Sequence, residues 1–170
     1  MKKRILILIL AIIGIILTPI VILNIDKINS NPNSNPMWED YIESGIYTAQ
    51  EEIHDENITY SLDTYMWRDF MPISPPDGKP LIAVITVYAH NAENFPLTTK
   101  IERLWIINGA EIKSASATDE FKVDGNQYEM VFRDGPKWGP DIVIDVVVKM
   151  KINSQIYYLK AENQMIHATS

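Results

Sequence analysis

Three histidines, an acidic run and a scatter of hydroxyls are the residues in this chain whose types could do chemistry. His54, His90 and His167 lie in different segments, and none has the HxH or HExxH spacing that sets two metal ligands on one face. The run "EEIHDE", at 51–56, offers oxygen or nitrogen ligands at all but one position, yet it lacks the D-x-[DN]-x-[DN]-G order that wraps a calcium ion. It reads as a solvated acidic loop. Asp119 and Glu120 are adjacent, so on an extended chain their carboxylates diverge and cannot flank one glycosidic bond. With 0 Cys and no G-x-S-x-G elbow, S-x-x-K, P-loop or G-x-G-x-x-G, every reaction class lacks its first-named residue. The expectation is a protein that is not an enzyme and carries no metal or other cofactor.

What remains is a group of loop residues. If strands alternate in direction, the loops at 71–80, at Asn108-Gly109 and at 134–140 all fall at one end of the domain. That end would gather Arg68, Asp69, Lys79, Arg133, Lys137 and Trp138 as a candidate ligand or partner site, on a rigid scaffold of the kind that positions binding loops. The parity argument fails for the last loop if "DEFKV", at 119–123, is itself a strand. In "DGPKWGP", at 134–140, Pro136 and Pro140 fix φ, so the loop should be rigid. Trp138 is expected to fold back over the end of the core, with Lys137 and Arg133 as a solvent-facing rim. The competing reading presents Trp138 outward as an anchor for a partner.

The elements that must position these residues follow from composition and period. At 170 residues the chain is long enough for one domain and an appendage. Residues 5–25, opening on Ile5 and closing on Ile25, carry no charge and as a helix would reach about 32 Å, enough to cross a bilayer. Lys2, Lys3 and Arg4 precede them, in a basic tip at 1–4, and should stay cytoplasmic, which puts the rest of the chain outside. A cleaved secretory signal is the alternative, giving a secreted protein, but no small-x-small pair follows the apolar run.

Next comes an Asn/Ser/Pro-rich stalk at 26–36, then 37–56, read as a short helix with Trp38, Tyr41 and Ile42 on one face, Gly45 as its stop, and the acidic loop. From 57 to 170 the apolar period is two. Ile58, Tyr60, Leu62 and Met66 share a face, as do Ile144, Val146 and Val148. Ile85, Val87, Trp105, Ile107 and Phe132 complete the expected core. Asn108-Gly109 signals a type I′ hairpin. About seven such strands predict an all-β domain, an immunoglobulin-like antiparallel β-sandwich.

The segments "WRDFMPISPPDGKPLIAV", "RLWIINGAEI" and "DGPKWGPDIVIDVVV" resemble stretches of small exported bacterial β-sandwich proteins of unassigned function, over roughly residues 60–165. The resemblance implies an exported β domain and carries over no functional residue.

Leaving out the three basic residues of the tip, 12 Lys+Arg face 22 Asp+Glu, a net −10. Such a surface repels nucleic acid and anionic headgroups. The expected partners are the bilayer, through residues 5–25, and another envelope protein. The domain is then a structural or protein-interaction module of the cell envelope. The alternative is a small-ligand or glycan-binding domain using the loops at a membrane-distal end. Mass spectrometry of the protein from host membranes should recover the N-terminal peptide intact; a new N-terminus between 18 and 36 would mean a cleaved signal instead.

Overall fold

β-branched and aromatic residues at period two form long strands in the computed structural model, which describes residues 38–118 and 121–169. In chain order these are β1 (Trp38–Glu39), β2 (Glu52–Asp55), β3 (Ile58–Asp69), β4 (Leu81–His90), β5 (Thr99–Asn108), β6 (Glu111–Ser116), β7 (Phe121–Asp124), β8 (Gln127–Gly135), β9 (Ile142–Ile152) and β10 (Gln155–Thr169). The expected membrane segment at 5–25, the stalk at 26–36, and Asp119 and Glu120 lie outside the described residues. Among the described residues no helix is long and apolar enough to cross a membrane.

The all-β class stands. Where the pattern predicts about seven strands in two opposed sheets, the strands join one ten-stranded sheet, ordered β1-β6-β5-β9-β10-β3-β4-β8-β7 with β2 on β3. The sheet stays continuous because β10 pairs antiparallel with β9 and parallel with β3. Register shifts at 161–164 of β10, 81–83 of β4 and 101–103 of β5 add twist and bend. The sheet therefore curls into a half-barrel and buries its concave face. Trp38, on one edge strand, reaches β8 near the other edge, donating from Nε1 to the Arg133 carbonyl at 2.7 Å.

The concave face holds the main core, with Tyr60, Met66, Leu81, Ile85, Leu104, Phe132, Val146, Val148 and Leu159 buried. Ile58 and Leu62 pack against it half-buried. Trp105 and Ile107, expected in that core, face the other way: Leu104 and Ile106 take the inward positions, and Trp105 joins Ile46 and Val147 in a second cluster on the convex face.

That second cluster corrects the expected short helix. Residues 38–39 form a strand instead, paired with Ala115 and Ser114, and among the described residues the only helical turn here is a 3-10 turn at Ser44–Thr48. Tyr41 and Ile42 are exposed. Gly45 is no helix stop; the ring of Tyr158 lies against it, and a Cβ there would fall 2.1 Å from the ring. The acidic run is likewise a strand, β2, in which Ile53 is buried while Glu52 and His54 face solvent. The hairpin at Asn108-Gly109 is shifted by one residue. Its central pair is Gly109-Ala110 with positive φ only at Gly109 (59°), the type II′ pattern, and the expected I′ pattern appears at Asn153-Ser154, with φ 48° and 77°.

The strap formed by residues 40–50 is tied down through one carboxylate. Glu43 accepts from Tyr158 at 2.6 Å, from Tyr41 at 2.8 Å and from Lys149 at 3.1 Å. Trp105 Nε1 donates to the Tyr41 carbonyl at 2.7 Å. Burial alone would raise the Glu43 pKa, but the three donors outweigh it and hold the carboxyl below its ordinary value. Burial and the same carboxylate push the Tyr158 phenol up to about 12. A lowered native pKa stabilises the fold above the unfolded value and loses that stabilisation as pH falls through the native value. Thermal unfolding should show wild type exceeding Glu43→Gln in stability above pH 4.5, with the difference vanishing at lower pH. A difference constant from pH 7 to pH 3 would remove Glu43 from this role.

Candidate functional site

Pairing of Leu81 with Gly135, and of Thr169 with Asp69, places the loops at 70–80 and 136–141 side by side at one end of the sheet. β7 is indeed a strand, yet the loops still meet. β6 and β7 run in the same direction, each antiparallel to a strand that climbs toward this end, so the extra strand does not shift the parity. The six residues singled out from sequence thus lie at one end of the sheet.

Arg68 continues the inward row of Tyr60 and Met66 and is only 3% exposed. Its Nε donates to the Lys79 carbonyl at 2.9 Å, and Nη1 donates to the carbonyls of Lys137 and Gly139 at 3.1 and 2.7 Å. Nη2 donates to the Asp77 carbonyl. The guanidinium lies over Phe70, 5.0 Å from the ring centroid. A buried cation is tolerable only when its donors are spent, and here the carbonyl dipoles of both loops take them. Arg68 is a staple between loops, and as a solvent-facing ligand contact it is a correction to the sequence expectation.

Two lysine–aspartate pairs flank it. Lys79 Nζ pairs with Asp69 Oδ2 at 2.7 Å, while Asp69 Oδ1 accepts from the Met71 amide at 2.8 Å. Lys137 Nζ pairs with Asp77 Oδ2 at 2.6 Å. These lysines hold the carboxyls of Asp69 and Asp77 below their ordinary value. Arg133 is exposed and lends only its carbonyl, to Trp38. Trp138 is half-buried and packs against the main core. Trp38 sits beside Arg133 and Gly135 at this end.

The histidines come closer than their sequence separation suggests. His54 and His90 flank Thr59 across β2, β3 and β4, with His54 Nδ1 3.0 Å from Thr59 Oγ1 and His90 Nε2 2.7 Å from Ser61 Oγ. Both are exposed, and among the described residues no three His, Asp or Glu side chains gather to hold a metal.

Sequence reading missed a surface. On the convex face, cross-strand pairing sets Val143 beside Met165, and Tyr65 beside Val84, which pairs in turn with Val131. One step along, His167 pairs with Trp67 and Trp67 with Ile82. Tyr65 stacks on His167 and tilts against Trp67, both at 5.3 Å between centroids. Val143, Met165 and Tyr65 are 49, 42 and 54% exposed. The result is an apolar and aromatic belt across β9, β10, β3, β4 and β8. Its signal was apolar residues in both phases of one strand, as in "TYMW" and "QMIH", where an outward phase should be polar.

No family model, curated protein or solved structure matches the chain.

If Arg68 staples the loops, Arg68→Lys should lower stability by about 2 kcal/mol or more, because a point charge cannot reproduce the fork and buried carbonyls are left unpaired. Lys79→Ala, which breaks an exposed pair, should cost less than about 1 kcal/mol. Denaturant titration of both variants reads the difference, and equal effects would refute the staple.

Proposed function

We propose that the chain is a membrane-anchored extracytoplasmic β domain acting as a structural or protein-interaction module of the cell envelope. It docks another envelope protein through the belt centred on Tyr65, Trp67 and Met165. The observation that carries this reading is the belt itself. Apolar and aromatic side chains contiguous over five strands, with Val143, Met165 and Tyr65 exposed among them, are what protein interfaces use, and scattered ones are not. The belt lies on the outer side of a curled sheet, whereas small-ligand and glycan sites are concave. The apolar residues 5–25, with Lys2, Lys3 and Arg4 before them, support the tether, and the net −10 of the remainder argues against nucleic acid as the partner.

A photocrosslinking residue at Met165, in the full chain expressed in host membranes, should give one adduct of discrete mass with an envelope protein. The same residue at Glu111, on the far hairpin, should give none. Tyr65→Glu should abolish the adduct while changing stability by less than about 0.5 kcal/mol, as an exposed substitution does. Equal crosslinking at both positions, or loss of folding without loss of the adduct, would overturn the proposal.

A further inference from the structure

The loop at 70–80 ends the sheet on an apolar knuckle. In "MPISPP", at 71–76, every side chain but that of Ser74 is apolar and exposed, with Met71 at 46% and Ile73 at 90%. Exposed apolar residues scattered singly are ordinary, but these adjoin one another and are held outward. The Ser74 amide donates to the Met71 carbonyl at 2.7 Å, and the Gly78 amide to the Pro75 carbonyl at 2.8 Å, so the knuckle is two successive tight turns. Its base is fixed by Arg68 and by the Lys79 amide, which donates to the Asp69 carbonyl at 2.9 Å.

The same loop costs little to dehydrate. Unpartnered polar groups are what oppose entry into lipid, and this loop has few to strip. Pro72, Pro75 and Pro76 carry no N–H. The Met71 amide is bonded to Asp69 Oδ1, and Arg68 takes the carbonyls of Asp77 and Lys79. Asp77 is the one carboxylate in the loop, and Lys137 neutralises it.

The position of the loop selects a bilayer as its partner. The Trp38 ring stands beside Gly135, and Gly135 pairs with Leu81, the residue that follows the loop. The 12 residues at 26–37 that lead to this end span at most about 43 Å. With residues 5–25 as a membrane anchor, the knuckle is then confined near the bilayer surface, at an effective concentration on the order of millimolar. A contact too weak for a free protein suffices there. Two side chains are too few for a protein interface, which takes about 800 Å² from each partner, whereas seating in the headgroup boundary needs a depth of only about 5–10 Å.

We propose that the loop at 70–80 seats Met71 and Ile73 in the headgroup region of the bilayer and so turns this end of the domain toward the membrane. The inference rests on the anchored reading given above. It is independent of protein docking at the belt.

With 0 Cys in the chain, a single introduced cysteine is labelled without background. Full chains carrying Met71→Cys, or Leu97→Cys at the fully exposed opposite end, are labelled with an environment-sensitive nitrobenzoxadiazole dye and placed one per disc in phosphatidylcholine nanodiscs. Emission from position 71 should be blue-shifted from that of the dye in water and quenched by lipids brominated high on the acyl chains. Emission from position 97 should be neither. Adding Ile73→Asp to Met71→Cys should abolish both effects with the thermal transition unchanged, because Ile73 packs against nothing. Unshifted emission from position 71 in chains that the discs retain would overturn the proposal and leave the knuckle to a protein partner. Equal quenching at 71 and 97, or a shift that survives Ile73→Asp, would overturn it as well. Chains that the discs fail to retain would overturn the anchored reading itself, and this inference with it.

Discussion

Ile166 to Thr169 lie beside Met66 to Asp69, and in this short parallel ladder two antiparallel halves of the domain become one sheet. On one side run β1, β6, β5 and β9; on the other, β4, β8 and β7. Parallel neighbours cannot be joined by a tight turn, so the contact closes between segments far apart in the chain. β10 reaches it only after bending at Ala161/Gln164, where Asn163 takes φ 56° and its amide donates to Asp145 Oδ1 at 2.9 Å. Because the ladder is continuous through this point, the twist of ten strands accumulates in one direction. The concave face then closes on itself, which is how a single sheet obtains the buried interior that two opposed sheets would otherwise share.

Arg68 stands at the end of that ladder, and its position explains why the two loops beside it are held without regular structure. The loop at 70–80 contains four prolines, which donate no backbone hydrogen bond, and the loop at 136–141 contains two. Their carbonyls must be satisfied from outside. One guanidinium does this for Asp77, Lys79, Lys137 and Gly139, and the strand beside it contributes a further tie from the Phe70 amide to the Thr169 carbonyl at 2.9 Å. The surface lysine pairs follow from this arrangement rather than create it, since exposed pairs contribute little on their own. A rigid end beside Trp67 and His167 also fixes the backbone that carries the belt.

The strands were legible because period two is a property of each segment alone, and so was the meeting of the loops at 71–80 and 134–140. Partners were not legible. Nothing in "QMIHAT" says that it lies parallel to "MWRD", and without that pairing two sheets are the simpler reading. Phase failed where a bulge intervened: the shift at Ile101/Arg103 turns Trp105 to the convex face, against the count that put it in the core. The inward direction of Arg68 was in the sequence, two residues beyond Met66 on the same face, but its charge suggested solvent. The acidic run hid a strand for a related reason, since a lone Ile53 among carboxylates is a weak alternation. The belt needed cross-strand register to be seen, because its members come from five strands.

An exposed apolar belt would ordinarily invite aggregation, and where it lies bears on what it can do. Sheets associate most readily through unpaired edges, and here the edges are small: β1 has 2 residues and β7 has 4. The belt crosses the middle of the sheet, where β10, β3 and β4 have neighbours on both sides and strand addition is blocked. Its side chains can therefore leave water only by meeting another surface face to face. Tyr65 stacks on His167 and tilts against Trp67, which fixes its rotamer before any contact and lowers the entropy lost on docking. β7 offers the opposite case, a short edge whose Phe121 and Val123 border a cavity at the other end of the sheet. The two surfaces thus differ in kind, one convex and preorganised for a broad contact, the other a short edge at the rim of the concave face.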